Sequence, residues 1–124
     1  MDLKQVYSNV AAYHNNEKYV RETAEQIILD FERFGIEIQF PENLHFAYDE
    51  LYDQLLPEID QLLANNQGKL MAMLYAIDVS ESLIKKTALL NPEKNFADIV
   101  TNLTMDREFK KVLTRNYFKS QSDF

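Results

Sequence analysis

The feature that most constrains the fold is a stretch of twenty residues, Leu44 to Leu63, reading LHFAYDELYDQLLPEIDQLL. On a helix turning about 100° per residue, Leu44, Tyr48, Leu51, Tyr52, Leu55, Leu56, Ile59, Leu62 and Leu63 fall on one side. Asp49, Glu50, Asp53, Gln54, Glu58, Asp60 and Gln61 fall on the other. The phase does not change at Pro57, and Pro57 sits in the middle of the polar arc. Proline removes the hydrogen bond to the carbonyl of Asp53. On a solvent-facing arc water satisfies that carbonyl, and the helix bends around whatever it packs on. One kinked helix over about 44–65 is therefore expected, rather than two helices. Such a helix needs an apolar surface to cover its inner side, and the rest of the chain must supply it.

The remaining composition agrees with helices as that supply. Only 2 of 124 residues are glycine and 3 are proline, too few for the turns of a β fold. The length suits one domain with a true core. Leu3, Val6, Tyr7, Val10 and Ala11 repeat at helical spacing behind an Asp2/Gln5 capping box. Val20, Ala24, Ile27, Phe31 and Phe34 form a second stripe, which Gly35 should end as the residue just past the helix. This predicts a helix over about 17–34. Residues 36–41 alternate apolar and polar, but no partner strand is evident, so an extended linker is expected there. Leu70, Met71, Met73, Leu74, Tyr75 and Ile77 cover nearly every side of the next helix. A helix apolar all round is expected at the buried centre, where its methionines fill gaps; uncovered, they would line an adaptable groove. A helix over about 79–90 should stop before Asn91-Pro92, and another should begin near Asn95. In that last segment Phe96, Ile99, Val100 and Leu103 lie nearly opposite Phe109, Val112 and Leu113. Either the helix breaks near Thr104–Asp106, with Asp106 as N-cap, or its halves meet different neighbours; the break is the expectation. The fold predicted is a single all-α domain over 1–124, a compact bundle or array of five to seven helices.

Charge bears on function more than on fold. The chain carries −7 at neutral pH. Residues 107–124 carry Arg107, Lys110, Lys111, Arg115 and Lys119 against Glu108 and Asp123, a local +3, so the rest carries −10. That basic helix end suits the helix dipole. It could also fold back on acidic faces or meet an acidic partner. There is no cysteine, hence no disulfide or thiolate metal site. No apolar run approaches a membrane span and the first residues show no signal-peptide pattern, so a cytoplasmic protein with no membrane partner is expected.

One segment resembles the DNA-binding helix-turn-helix motif. From Leu70 to Leu89, Ile77, Val79 and Ile84 stand where that motif is apolar. The resemblance implies that Ser80 and Ser82 would open a recognition helix, with Lys85 and Lys86 reaching phosphates. Asp78 stands in place of the turn glycine, Leu74 in place of a small residue, and Thr87 in place of an apolar one. Asp78 with Glu81 also reads as an ordinary capping box. Residues 69–90 carry only +1, little for a protein that must neutralise many phosphates. DNA binding is thus the alternative reading.

Other chemistry has less to build on. Glu42 and His45 form one E-x-x-H, whereas di-iron bundles need two such pairs and two more glutamates. The second histidine, His14, has Ala11 in the partner position. Neither a nucleophile elbow nor a phosphate-cradling loop is present. No catalytic residue, cofactor or metal ligand is predicted, and a metal- or ligand-binding protein is a lesser alternative. By elimination the expected function is protein interaction or self-association without catalysis. Its partner would be another protein, such as a basic one met by the acidic surface, or a second copy. The candidate interface is Tyr117 and Phe118 with Arg107, Lys110, Lys111 and Arg115.

Overall fold

A computed structural model of the chain describes residues 16–122. Among these residues five α-helices and a single 3₁₀ turn form an all-α array: α1 Glu17–Glu32, the turn Leu44–Phe46, α2 Ala47–Asn65, α3 Gln67–Ile77, α4 Glu81–Leu90 and α5 Phe96–Ser122. The helix expected over Leu3–Ala11 lies outside the described residues.

Local chemistry sets the helix ends. The side chain of Asn16 accepts the amides of Lys18 and Tyr19 at the start of α1. At its end Gly35 takes φ +76, and the amides of Gly35 and Ile36 return to the carbonyls of Glu32 and Phe31. This is the left-handed closure expected of glycine after a helix. The linker 36–41 then runs extended, with Ile36 and Ile38 buried and Glu37 and Gln39 exposed. Its missing strand partner is a side chain. The Gln39 amide donates to Gln54 Oε1 at 2.8 Å, and Gln54 Nε2 donates back to the Gln39 carbonyl at 3.0 Å.

Helix α2 runs through Pro57 without interruption, and Pro57 lies exposed. Its first turn differs from expectation: Leu44–Phe46 is 3₁₀ and the α-helix begins at Ala47, because the Asn43 side chain caps His45 and holds a tighter turn. Leu51, Leu55, Ile59 and Leu62 are buried against Ile27, Phe31, Met73, Ile77 and Val100. Each such side chain contributes about 1.5–3 kcal/mol of hydrophobic stabilisation.

Two expectations are corrected. First, α5 does not break near Asp106. Its first half packs into the main core through Val100, Met105 and the partly buried Leu103, and its second half, through Phe109 and Leu113, meets Tyr19, Tyr48 and Tyr117. The sector joining the two halves is closed by Thr101, Thr104 and Glu108, all fully buried. The two threonine hydroxyls donate to the carbonyls of Ala97 and Val100, so their burial leaves no lost hydrogen bond. Second, the central helix is α5, which touches the other four, and not Leu70–Ile77. In α3 only Leu70, Met73, Leu74 and Ile77 face inward.

Candidate interaction surface

The chain leaves α3 by a left-handed turn. Asp78 takes φ +71, its amide donates to the Tyr75 carbonyl, and the Val79 amide donates to the Leu74 carbonyl at 2.8 Å. Aspartate tolerates this conformation better than most residues do. Ser80 then caps α4 by accepting the Leu83 amide at 3.2 Å. The expected capping box from Asp78 to Glu81 therefore does not form, because Asp78 closes the preceding helix instead. Glu81 pairs forward with Lys85 at 3.5 Å, and Ser82 and Lys86 lie exposed. Helix α4 rests on α5 through Ile84, and its contact with α3 is marginal at most. A helix-turn-helix needs its two helices braced against each other. The described geometry supplies a left-handed turn at Asp78, and Ile84 of α4 joins the same buried cluster as Leu74 and Ile77 of α3.

The cations near the C-terminus face their own chain. Arg107 donates to both the carbonyl and the carboxylate of Asp78. Lys110 pairs with Asp106 at 3.0 Å. Arg115 donates to Gln26 at 2.9 Å and stands 3.6 Å from Glu22. Lys111 reaches inward, 3.1 Å from Asp30 Oδ2 and 2.9 Å from Glu108 Oε1. Tyr117 is half-buried and meets the exposed Phe118 edge-on, with ring centroids 5.2 Å apart. Of the expected interface set, the four cations thus tie α5 to α1, to Asp78 and to its own turns, while Phe118 is turned outward.

Asp30, Glu108 and Lys111 form a buried cluster between α1 and α5. Glu108 is 0 % exposed and Asp30 4 %. Burial first, then the hydrogen bond and charge of Asp30, push the Glu108 carboxyl up to about 8, with Lys111 opposing. Burial also pushes Asp30 up, but hydrogen bonds from Glu108, Gln26 and Lys111, with the Lys111 charge, leave it below the ordinary carboxylate range. Burial and the neighbouring Asp30 thus both favour the protonated form of Glu108, while Asp30 keeps its charge beside Lys111. Ionised, Glu108 would be a fully buried carboxylate whose oxygens have the Lys111 ion pair and no well-formed hydrogen bond. The proton removes that cost.

A second polar group lies between α2 and α5. The Tyr52 hydroxyl donates to Asp98 and, desolvated and beside that carboxylate, is pushed up to about 12. Next to it an open cleft of about 360 Å³ is lined by Tyr48, Asp49, Tyr52, Asn102, Met105, Asp106 and Phe109. Its polar groups are largely committed: Tyr52 to Asp98, Asp106 to Lys110. Among the described residues no three His, Asp or Glu side chains gather closely enough to hold a metal ion, and no helix is long and apolar enough to cross a membrane. His45 lies exposed and stacks edge-on against Phe46, and His14 lies outside the described residues.

The remaining surface of note is the outward side of α3. Gly68, Met71, Ala72, Tyr75 and Ala76 are all exposed, Tyr75 to 88 %. The one charged residue of this helix, Lys69, sits half-buried on its flank. An exposed apolar helix face in water is a candidate docking surface, and α4 presents another through Leu83, Leu89 and Leu90. Met71 and Tyr75 are expected in the core from sequence, because uniform apolarity looks like burial, and the structure exposes both. The available signal was size: Gly68, Ala72 and Ala76 recur every four residues, opposite the bulky Leu70, Met73, Leu74 and Ile77.

No family model, curated protein or solved structure matches this chain.

Proposed function

We propose that this chain is a helical protein-interaction or self-association module that docks through the outward face of α3 and performs no catalysis. The observation that carries this reading is Tyr75, a large aromatic 88 % exposed in an uncharged, apolar helix face. Tyrosine at the centre of such a face is a frequent interface anchor, since it brings contact area and a polar tip at little entropic cost. Most of the described acids and bases singled out above are engaged within the fold. Helix α5 spends its cations on Asp78, Asp30, Glu108 and Glu22.

A photo-crosslinking side chain at position 75 tests the reading. It should trap a protein, either a second copy or another chain, in a defined band. The same group at position 86, exposed on α4, should trap none at comparable yield. Equal yields at 75 and 86, or none at either, would count against an interface on α3.

A further inference from the structure

The cleft between α2 and α5 joins an apolar floor to a polar rim. Its floor is Met105 and Phe109, 9 % and 1 % exposed, and its walls are the rings of Tyr48 and Tyr52. Tyr48 packs edge-on against Phe109 with centroids 5.9 Å apart, and Tyr52 is tied to Asp98, so the walls are set before anything enters. The rim is Asp49, Asn102 and Asp106. Its unspent hydrogen-bonding capacity is mostly for accepting. Asp49 is exposed and has no hydrogen bond or ion pair among the described residues. Asn102 donates its side-chain amide to the Asp98 carbonyl at 3.0 Å, which leaves its Oδ1 to accept. We infer that this cleft binds a small organic monocation, with an ammonium head held by Asp49 and Asn102 Oδ1 and a flat apolar body lying between Tyr48, Tyr52 and Met105. None of these residues belongs to α3, so the inference stands apart from the reading of that helix.

Charge and size select the occupant. Asp106 is balanced by Lys110 at 3.0 Å, whereas Asp49, Asp53 and Asp98 leave the cleft in a negative field. That field is felt at its wall: burial first, then the hydrogen bond and charge of Asp98 and the charge of Asp53, raise the Tyr52 hydroxyl. A cation is drawn in and an anion is turned away. Aromatic faces add attraction for a cation that the rim carboxylate holds in place. A metal ion is a poor fit, since among the described residues no three His, Asp or Glu side chains gather to ligate one. The cleft measures about 360 Å³, within the range of small-molecule sites and room for about a dozen waters at roughly 30 Å³ each. A lysine side chain from a partner protein would leave most of that room to water. An aromatic ring bearing an ammonium on a short chain fills it.

Titration of the full 124-residue chain with phenethylammonium at neutral pH, followed by amide NMR, tests this. Saturable shifts should centre on Tyr48, Asp49, Asn102 and Met105, with a dissociation constant on the order of 1 mM for so small a probe. Phenethyl alcohol, of the same shape without the charge, should bind at least about fivefold more weakly, and the anion hydrocinnamate should not bind over the same range. Asp49→Asn, at an exposed position, should weaken the ammonium at least about threefold with circular dichroism unchanged. Asp60→Asn removes the same charge about 16 Å further along α2 and should leave the affinity within about twofold. Shifts centred outside the cleft, equal affinity for the alcohol and the ammonium, or an Asp49→Asn variant that binds as the parent does would each overturn the inference. The amide of acetyl-lysine with a free side-chain amine probes the rival occupant. It should bind more weakly than phenethylammonium; tighter binding would overturn the small cation in favour of a basic protein segment.

Discussion

Arg107 holds Asp78 at two points: its Nε–H donates to the Asp78 main-chain carbonyl at 3.1 Å, and its Nη2 to the carboxylate at 3.0 Å. The fork links the central helix α5 to the left-handed residue that separates α3 from α4, so it fixes where the α3 face points. Because Asp78 is well exposed, the gain is modest. Arg107→Ala should cost about 1 kcal/mol in urea denaturation. Asp78→Gly trades the carboxylate for freedom at positive φ and should stay within about 0.5 kcal/mol of the parent. Asp78→Val places a β-branched residue at φ +71 and should cost about 2 kcal/mol or more. Equal stabilities for the Gly and Val variants would show that the turn does not govern this region.

The Asp30–Glu108 pair makes stability depend on pH in a defined direction. Glu108 has a folded pKa of about 8 against 4.5 when unfolded, so the folded state keeps a proton that the unfolded chain releases between those values. Stability from this group is full below about 4.5 and falls as pH rises toward 8. Asp30 works oppositely: its contribution is present above the unfolded value of 3.8 and is lost as pH falls through its lowered folded value. Thermal melts should therefore give a higher midpoint near pH 5.5 than at pH 8. Glu108→Gln, neutral at every pH and able to donate to Asp30, should flatten that slope and raise the midpoint at pH 8 by several degrees. A parent protein equally stable at both pH values would contradict a raised Glu108 carboxyl.

Lys111 supplies the buried cation of this group from α5, and Arg33, just past the end of α1, lies 3.8 Å from Asp30 at the exposed rim. Removing one member of a buried ionic cluster leaves the others uncompensated. Lys111→Met should destabilise by about 3 kcal/mol at pH 7. In the background of Glu108→Gln the same substitution should cost clearly less, a coupling that a double-mutant cycle reads directly. Strict additivity would mean the three side chains do not act as one unit.

Gln54 stands in for a β-strand beside the linker 36–41. Gln54→Ala removes both hydrogen bonds to Gln39 and should cost about 1 kcal/mol. Amide exchange at Gln39 should accelerate markedly while Leu51 and Leu55, buried on α2, stay protected. Unchanged exchange at Gln39 would show that the linker is held by Ile36 and Ile38 alone.

These residues also show what a one-dimensional reading could and could not reach. The span of α1, its Gly35 closure, the extended linker and the passage of α2 through Pro57 follow from periodicity and local backbone chemistry, both carried by neighbouring residues. The continuity of α5 was hidden because Thr101, Thr104 and Glu108 look like solvent-facing positions until their partners are in place. No local pattern marks a glutamate that is buried in the same ionic cluster as an aspartate on another helix. The α3 face was hidden for the converse reason. Apolar residues report the cost of exposure, and they are silent on whether the covering surface belongs to this chain or to another.

The most direct test of α3 as the surface that pairs is a concentration series of amide NMR spectra of the full chain. Where the partner is a second copy, docking through α3 predicts shifts that grow with concentration at Gly68, Met71, Ala72, Tyr75 and Ala76, fade at Lys85 and Lys86, and vanish in Tyr75→Lys. Concentration-dependent shifts centred on the acidic arc of α2 or on Tyr117 and Phe118, with α3 unmoved, would contradict it.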